Sequence, residues 1–244
     1  MRLFKYLFLL LFLLVPSMVL ARGDYYKGVG VIAPVCIADQ CETFETNPGY
    51  DLAWTEVNGD SDPDYSTADL DMHGSLCVKI PIGPGILEHD LAAPANEVYV
   101  LTKFRHADAM ENDEKIFEFQ DNADNALGSI YHESAGAGNR LYPLGSASRT
   151  AETNAVNVSS WMKFRYKKGT GANAIVGVSV WTGAAWGSWV LLTNGAATAQ
   201  VNEASMWNGQ DNAAEIQFWD CFQVKATDTD PFTANPNTLY CGVD

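Results

Sequence analysis

Cations are scarce in this chain. Its 244 residues carry 15 Lys and Arg against 30 Asp and Glu, a formal charge of −15 at pH 7. So acidic a surface repels polyanions, which disfavours nucleic acid and anionic lipid as partners. Cysteine is sparse too: there are five, none in a CxxC pair, so zinc-site spacing is absent. The four histidines, His73, His89, His106 and His132, show no metal-ligand spacing either. A Gly-x-Ser-x-Gly elbow, a phosphate-binding Gly-rich loop and a dinucleotide fingerprint are all missing, which removes the common signals for acyl-hydrolase, nucleotide and nicotinamide chemistry. Helical periodicity of useful length is confined to the first residues.

Long apolar runs are missing but for one. Leu7 to Val15 is unbroken and too short for a bilayer span. Arg2 and Lys5 precede it, Pro16 ends it, and Val19-Leu20-Ala21 fits a small-residue cleavage site. The pattern is that of a signal peptide over residues 1–21. The expectation is a secreted protein with no membrane span after cleavage and, with Arg2 and Lys5 gone, a mature charge of −17. Export makes disulfides plausible. Cys36 and Cys41 bracket a tight loop that a bridge could close, and the odd count leaves at least one thiol free or intermolecular.

What is present is strand signal. Val98 to Arg105 alternates, with Val98, Val100 and Phe104 on one face and Lys103 and Arg105 on the other. Trp161 to Lys167 does so more clearly: Met162, Phe164 and Tyr166 oppose Lys163, Arg165 and Lys167. Ile216, Phe218, Phe222 and Val224 are expected on one face of a final strand. Short period-two runs separated by Gly, Asn, Asp and Pro are the pattern of an all-β sandwich. Gly169 to Asn173 and Gly183 to Gly187 are read as turns. The organisation expected is an N-terminal extension over 22–41, one sandwich over 42–225 and an irregular tail over 226–244.

Three segments carry a family resemblance. Phe44-Glu45, Gly49-Tyr50-Asp51 and Trp54 lead through an acidic loop to His73-Gly74-Ser75-Leu76. Trp161 runs through a strand into the turn ending at Asn173. Phe218-Trp219-Asp220-Cys221-Phe222-Gln223-Val224 closes the domain. In this order they resemble the concanavalin A-like lectin/glucanase superfamily, specifically its laminin-G-like domains. The resemblance implies a two-sheet antiparallel jelly-roll sandwich in an extracellular protein. It also implies a structural calcium tying first strand to last, with Glu45 and Asp220 as ligands and Cys221 replacing a second acid. Function must still come from a site, because the fold hosts lectins, adhesins and glycan-cleaving enzymes.

Asp60, Asp62 and Asp64 alternate in the acidic loop, offering the hard oxygen ligands calcium takes. Tyr65 occupies the position where an EF-hand needs Gly, so that motif is rejected; a looser calcium site and a solvated loop both stay open. Trp181, Trp186 and Trp189 cluster at one turn, and flat indole faces stack on sugar rings. Trp186 is the first choice for such a platform, with Trp181 beside it, while Trp54, Trp161 and Trp219 are assigned packing roles. Lys103, Arg105, Lys163, Arg165 and Lys167 make a basic stripe if their strands share a sheet. It could grip an acidic polysaccharide, or simply pair with Glu118 and other acids across strands.

Enzyme signatures are faint. The Glu-x-Asp-x-x-Glu strand of laminarinase-type jelly rolls is absent. Of the alginate-lyase pattern only Ser129-Ile130-Tyr131-His132 is echoed, which leaves Arg105, Tyr131 and His132 as long shots for proton transfer. The leading expectation is a secreted, non-catalytic, calcium-stabilised module binding a polysaccharide, a cell-surface glycan or another extracellular surface. The alternatives are a lyase or glycoside hydrolase acting on an acidic glycan, and a structural module of a surface or virion appendage that meets a protein partner.

Overall fold

Alternation sets the architecture. Met162, Phe164 and Tyr166 are buried on one side of their strand, and their neighbours Val98, Val100 and Phe104 lie beside them in the same core. Facing them across the sandwich are Phe117 and Phe119; Phe117 stacks on Phe164 with centroids 4.2 Å apart. These inward rows form the main core, where each fully buried large side chain contributes about 1.5–3 kcal/mol.

The computed structural model describes residues 36–44, 52–57, 64–67, 72, 76–80, 85–107, 113–135, 138–150, 158–209 and 216–238. The strands are β1 (Gln40–Glu42), β2 (Thr55–Val57), β3 (Asp64–Thr67), β4 (Cys77–Ile80), β5 (Gly85–Ala95), β6 (Glu97–His106), β7 (Glu114–Gln120), β8 (Ala126–Ala135), β9 (Gly138–Pro143), β10 (Ser160–Lys167), β11 (Ala174–Val180), β12 (Val190–Gly195), β13 (Val201–Asn208) and β14 (Gln217–Ala226). They form two antiparallel sheets. One has eight strands in the order β12-β11-β10-β6-β14-β4-β3, with β1 also on β14; the other has six in the order β2-β5-β13-β7-β8-β9. This is the two-sheet jelly-roll sandwich the sequence suggested. No helix among the described residues is long and apolar enough to cross a membrane.

The closing strand departs from simple alternation. A bulge falls between Asp220 and Gln223, and Cys221 takes a left-handed φ of 55°. The extra residue switches the faces. Trp219, Phe222 and Val224 point into the main core, whereas Phe218 and Cys221 point outward into separate clusters. Phe218 therefore does not share a face with Phe222, as unbroken alternation would have it. Asp220, opposite Lys103, also lies on the outer side, fully buried, and accepts the Cys221 backbone N–H at 2.7 Å.

The opening stretch differs in detail as well. Its first strand stops at Glu42, and Phe44 follows with a φ of 58°. The Glu42 carboxylate, wholly buried, accepts the N–H groups of Phe44 (2.8 Å) and Leu52 (2.8 Å) and the Trp54 indole N–H (3.1 Å). A buried carboxylate persists when donors converge on it. Trp54 is thereby held against Phe44 and Phe222. Asp64, expected in the acidic loop, opens β3, while Glu45, Asp60 and Asp62 lie outside the described residues. Cys36 and Cys41 form a disulfide, Cys221 is also disulfide-bonded, and Cys77 is a buried thiol outside any disulfide.

Glu42→Ala should cost about 2–4 kcal/mol, since three donors lose their acceptor in a buried site. Urea unfolding checks this; a loss below about 1 kcal/mol would show that the carboxylate does not organise the opening segment.

Candidate functional site

The basic residues singled out in the sequence share a surface. Strands β6 and β10 are neighbours, with Lys103 opposite Trp161, Leu101 opposite Lys163, Tyr99 opposite Arg165 and Glu97 opposite Lys167. Lys103, Arg105, Lys163, Arg165 and Lys167 thus line the outer face of the eight-stranded sheet. Much of their charge is already answered. Glu97 takes Arg165 at 2.6 Å and Lys167 at 3.0 Å, and Asp230 takes Lys163 at 2.5 Å. Arg105 lies over the Phe218 ring. Glu118, considered as a cross-strand partner, belongs to the other sheet and pairs with Lys115.

The segment after β14 covers part of this face. Phe232 is fully buried among Tyr99, Leu101, Trp161 and Cys221. Asn237 accepts the Trp161 indole N–H at 2.9 Å, and the Ala234 carbonyl accepts that of Trp186 at 3.0 Å. Lys163 is buried with its ammonium over the rings of Trp186 and Trp189, at 4.3 and 5.0 Å. Burial pulls its pKa down, against the pull of Asp230. Trp186, the expected ligand platform, therefore meets the protein's own Lys163 and Ala234. Trp181 packs edge-on against it, 5.4 Å between centroids.

The three long shots for proton transfer fall in three places. Arg105 is on the outer face of the eight-stranded sheet. Tyr131 pairs with Lys115 and Tyr142 in the six-stranded sheet and is half-buried. His132 is buried, its ring 6.3 Å from that of His106. Nor do the described residues offer a group of three or more His, Cys, Asp or Glu side chains able to hold a metal ion.

Sequence reasoning did not find the array on the outer face of the six-stranded sheet. Strand register brings Asp90, Glu203 and Gln120 into one row across β5, β13 and β7. The next row is Glu88, Ser205, Glu118 and Ser129. Glu118 accepts Ser129 Oγ at 2.6 Å, Gln120 Nε2 at 3.1 Å and Lys115 Nζ at 3.0 Å. Ser205 Oγ lies 3.0 Å from Gln120 Oε1 and 3.3 Å from Glu203 Oε1. Further along, Lys115 sits 3.2 Å from the centroid of the Trp207 ring, whose Nε1 finds no hydrogen-bond partner among the described residues. Tyr131 and Tyr142 follow, with Arg149 stacked on Tyr142 and held by Glu133 at 2.7 Å.

Two carboxyls of the array hold protons unusually well. Burial, then repulsion from Glu88, pushes Glu203 up to about 7. Glu88 is also raised, by burial and by Asp124 and Asp90, while its hydrogen bond with Glu203 pulls the other way. Neighbouring carboxyls in hydrogen-bond contact favour sharing one proton over ionising together. Such an array presents acceptors and donors in register across the sheet, with aromatic rings at its end.

No protein-family model matches the chain, and no curated protein matches its sequence. Solved structures do match in fold. An alginate lyase, Aly36B, in complex with alginate trisaccharide, superposes with a TM-score of 0.50 at 11% identity, over 72% of this chain and 99% of that one. A marine PL-14 alginate lyase from Aplysia kurodai gives a TM-score of 0.50 at 8% identity, over 66% and 87%. The protein has the concanavalin A-like sandwich fold.

Because Glu203 and Glu88 bind protons more tightly folded than unfolded, their contribution to stability is complete below the unfolded pKa of about 4.3. It is lost as pH rises toward the folded value. The stability of Glu203→Gln relative to wild type should therefore grow between pH 5 and pH 8, by on the order of 1–2 kcal/mol after allowance for solvent screening. Parallel thermal melts across that range test it; a constant difference would refute the shared proton.

Proposed function

We propose that this is a secreted glycan-binding jelly roll that lays a neutral polysaccharide or cell-surface glycan across the outer face of its six-stranded sheet. The observation that carries the reading is the two-row polar array ending in Trp207 and Tyr131. Sugar hydroxyls are donors and acceptors at once, which suits a lattice of carboxylates, amides and hydroxyls. The apolar face of a pyranose suits an indole. Carboxylates on this face make an uncharged glycan a better fit than an acidic one. The signal-peptide pattern and the Cys36–Cys41 disulfide support an extracellular location.

Calcium linking Glu45 to Asp220 belongs to the same proposal. β1 runs antiparallel to β14 with Glu42 opposite Phe222, two residues along β14 from Asp220. A chelator should lower the melting midpoint by several degrees, and calcium should restore it. An unmoved midpoint would remove the ion from the proposal.

A second reading, glycan cleavage, is favoured by the proton held near neutrality on Glu203. The hydrogen-bonded Glu88 and Glu203 are too close to flank a glycosidic bond, since hydrolases separate their two carboxyls by about 5–9.5 Å. This weighs toward binding.

Calorimetric titration of neutral and uronic-acid polysaccharides, with product analysis, tests both. Expected is saturable binding of a neutral glycan, weakened about tenfold or more by Trp207→Ala. Unaltered binding by Trp207→Ala would overturn the assigned face. Release of oligosaccharides, lost in Glu203→Gln, would replace binding with cleavage.

A further inference from the structure

The segment after β14 crosses the outer face of the eight-stranded sheet without adding a strand to it. Residues 227–238 hold one short 3-10 turn, Pro236–Thr238, and only Phe232 and Pro236 among them are buried. Their hold on the face is small. The Phe232 ring enters the cluster of Tyr99, Leu101, Trp161 and Cys221. Asp230 takes Lys163 at 2.5 Å, and the Phe232 carbonyl accepts the same ammonium at 3.2 Å. The indoles of Trp161 and Trp186 donate to Asn237 and to the Ala234 carbonyl. A mostly exposed segment with so few buried contacts belongs to the low-stability end of a structure.

What keeps it in place is legible at Cys221. The bulge in β14 turns this residue to the outer side, into the cluster that receives Phe232. Cys221 is disulfide-bonded, Cys36 and Cys41 are joined to each other, and Cys77 is a thiol. The chain has five cysteines, so Cys241, outside the described residues, is the partner that remains. We infer that a Cys221–Cys241 bridge ties the segment after β14 onto the sheet as a strap, and that a dithiol reductant releases the strap while the sandwich stays folded. A segment tethered at both ends meets its contacts at high effective concentration, and opening one end removes that advantage. The main core is spared, because Phe232 lies in the separate outer cluster. Release would uncover Trp161, Trp186 and Lys163, so the strap acts as a reducible cover of this face.

The exchange balances. Cys221 is fully buried, so the reductant's thiolate attacks the Cys241 sulfur. The bridge breaks, Cys221 leaves and takes a proton, and a mixed disulfide joins Cys241 to the reductant. The reductant's second thiolate then closes on its own first sulfur and frees Cys241 as a thiol. Two electrons and two protons pass to the bridge, and the dithiol becomes a cyclic disulfide.

The test uses the full chain. Non-reducing peptide mapping should find Cys221 linked to Cys241; a link to any other cysteine would overturn the inference. Dithiol is then added without denaturant and thermolysin cleavage is followed by mass spectrometry. Cleavage within 227–238 should accelerate about tenfold or more while the sandwich strands stay protected. Cys36→Ser/Cys41→Ser, which lacks the other bridge, should respond in the same way. Cys241→Ser should be cut at the fast rate with or without dithiol. Unchanged protection of 227–238 after reduction would overturn the strap, and so would cleavage spread across the strands, which would make the bridge a staple of the whole sandwich.

Discussion

The bulge at Asp220–Cys221 is the constraint on which the core and the outer face of the eight-stranded sheet depend. Strand β14 sits inside the eight-stranded sheet, paired with β6 on one edge and with β4 and β1 on the other. Before the bulge it sends Trp219 into the core; after it, Phe222 and Val224. Without the extra residue, either Trp219 or Phe222 would face outward, and a large apolar side chain would leave the core. The same switch places Cys221 outside, where it forms the floor of the cluster that receives Phe232. The Thr102 hydroxyl, donating to the Asp220 carbonyl at 2.9 Å, satisfies an acceptor near the point where the ladder breaks.

From that floor the two sheets diverge in character. The outer face of the eight-stranded sheet is apolar and aromatic enough to need covering, and residues 227–238 contribute Phe232, Asp230 and Asn237 to it. Lys163 is tolerated beneath because Asp230 supplies its counter-charge and two indoles take the cation against their faces. On the six-stranded sheet the outward rows are polar across four strands. A sheet face that meets water needs polar residues, but not two neighbouring carboxyls whose pKa values are both pushed up.

Legibility followed the range of the interactions. The inward and outward sets of β6 and β10 could be read directly, because alternation is local and unbroken there. The basic stripe was legible for the same reason. Its neutralisation by acids across strands was foreseen, but with Glu118 as the named partner; Glu97 and Asp230 were not picked out, since they reach it from a strand start and from the segment after β14. The bulge was not read because no glycine marks it in Trp219-Asp220-Cys221-Phe222; it shows in register against Lys103 and Leu101. The polar array was missed because Glu88, Glu118 and Glu203 sit on separate strands that only the order β5-β13-β7 joins. A weak signal did exist: Glu118-x-Gln120 and Glu203-x-Ser205 each place two polar residues on one strand face.

The sign of the Glu88–Glu203 coupling bears on why the array exists. Carboxyls whose folded pKa values lie above the unfolded ones subtract stability at neutral pH. Apolar or amide residues of similar size at these positions would remove that penalty. Glu118 differs, since Ser129, Gln120 and Lys115 all donate to it and its charge is met within the sheet. The destabilising members are thus the two that no cation matches among the described residues, and both belong to the face with Trp207 at its end. A group that weakens the fold, is held in register with polar neighbours and opens to a surface is better explained by a ligand it meets than by the fold it burdens.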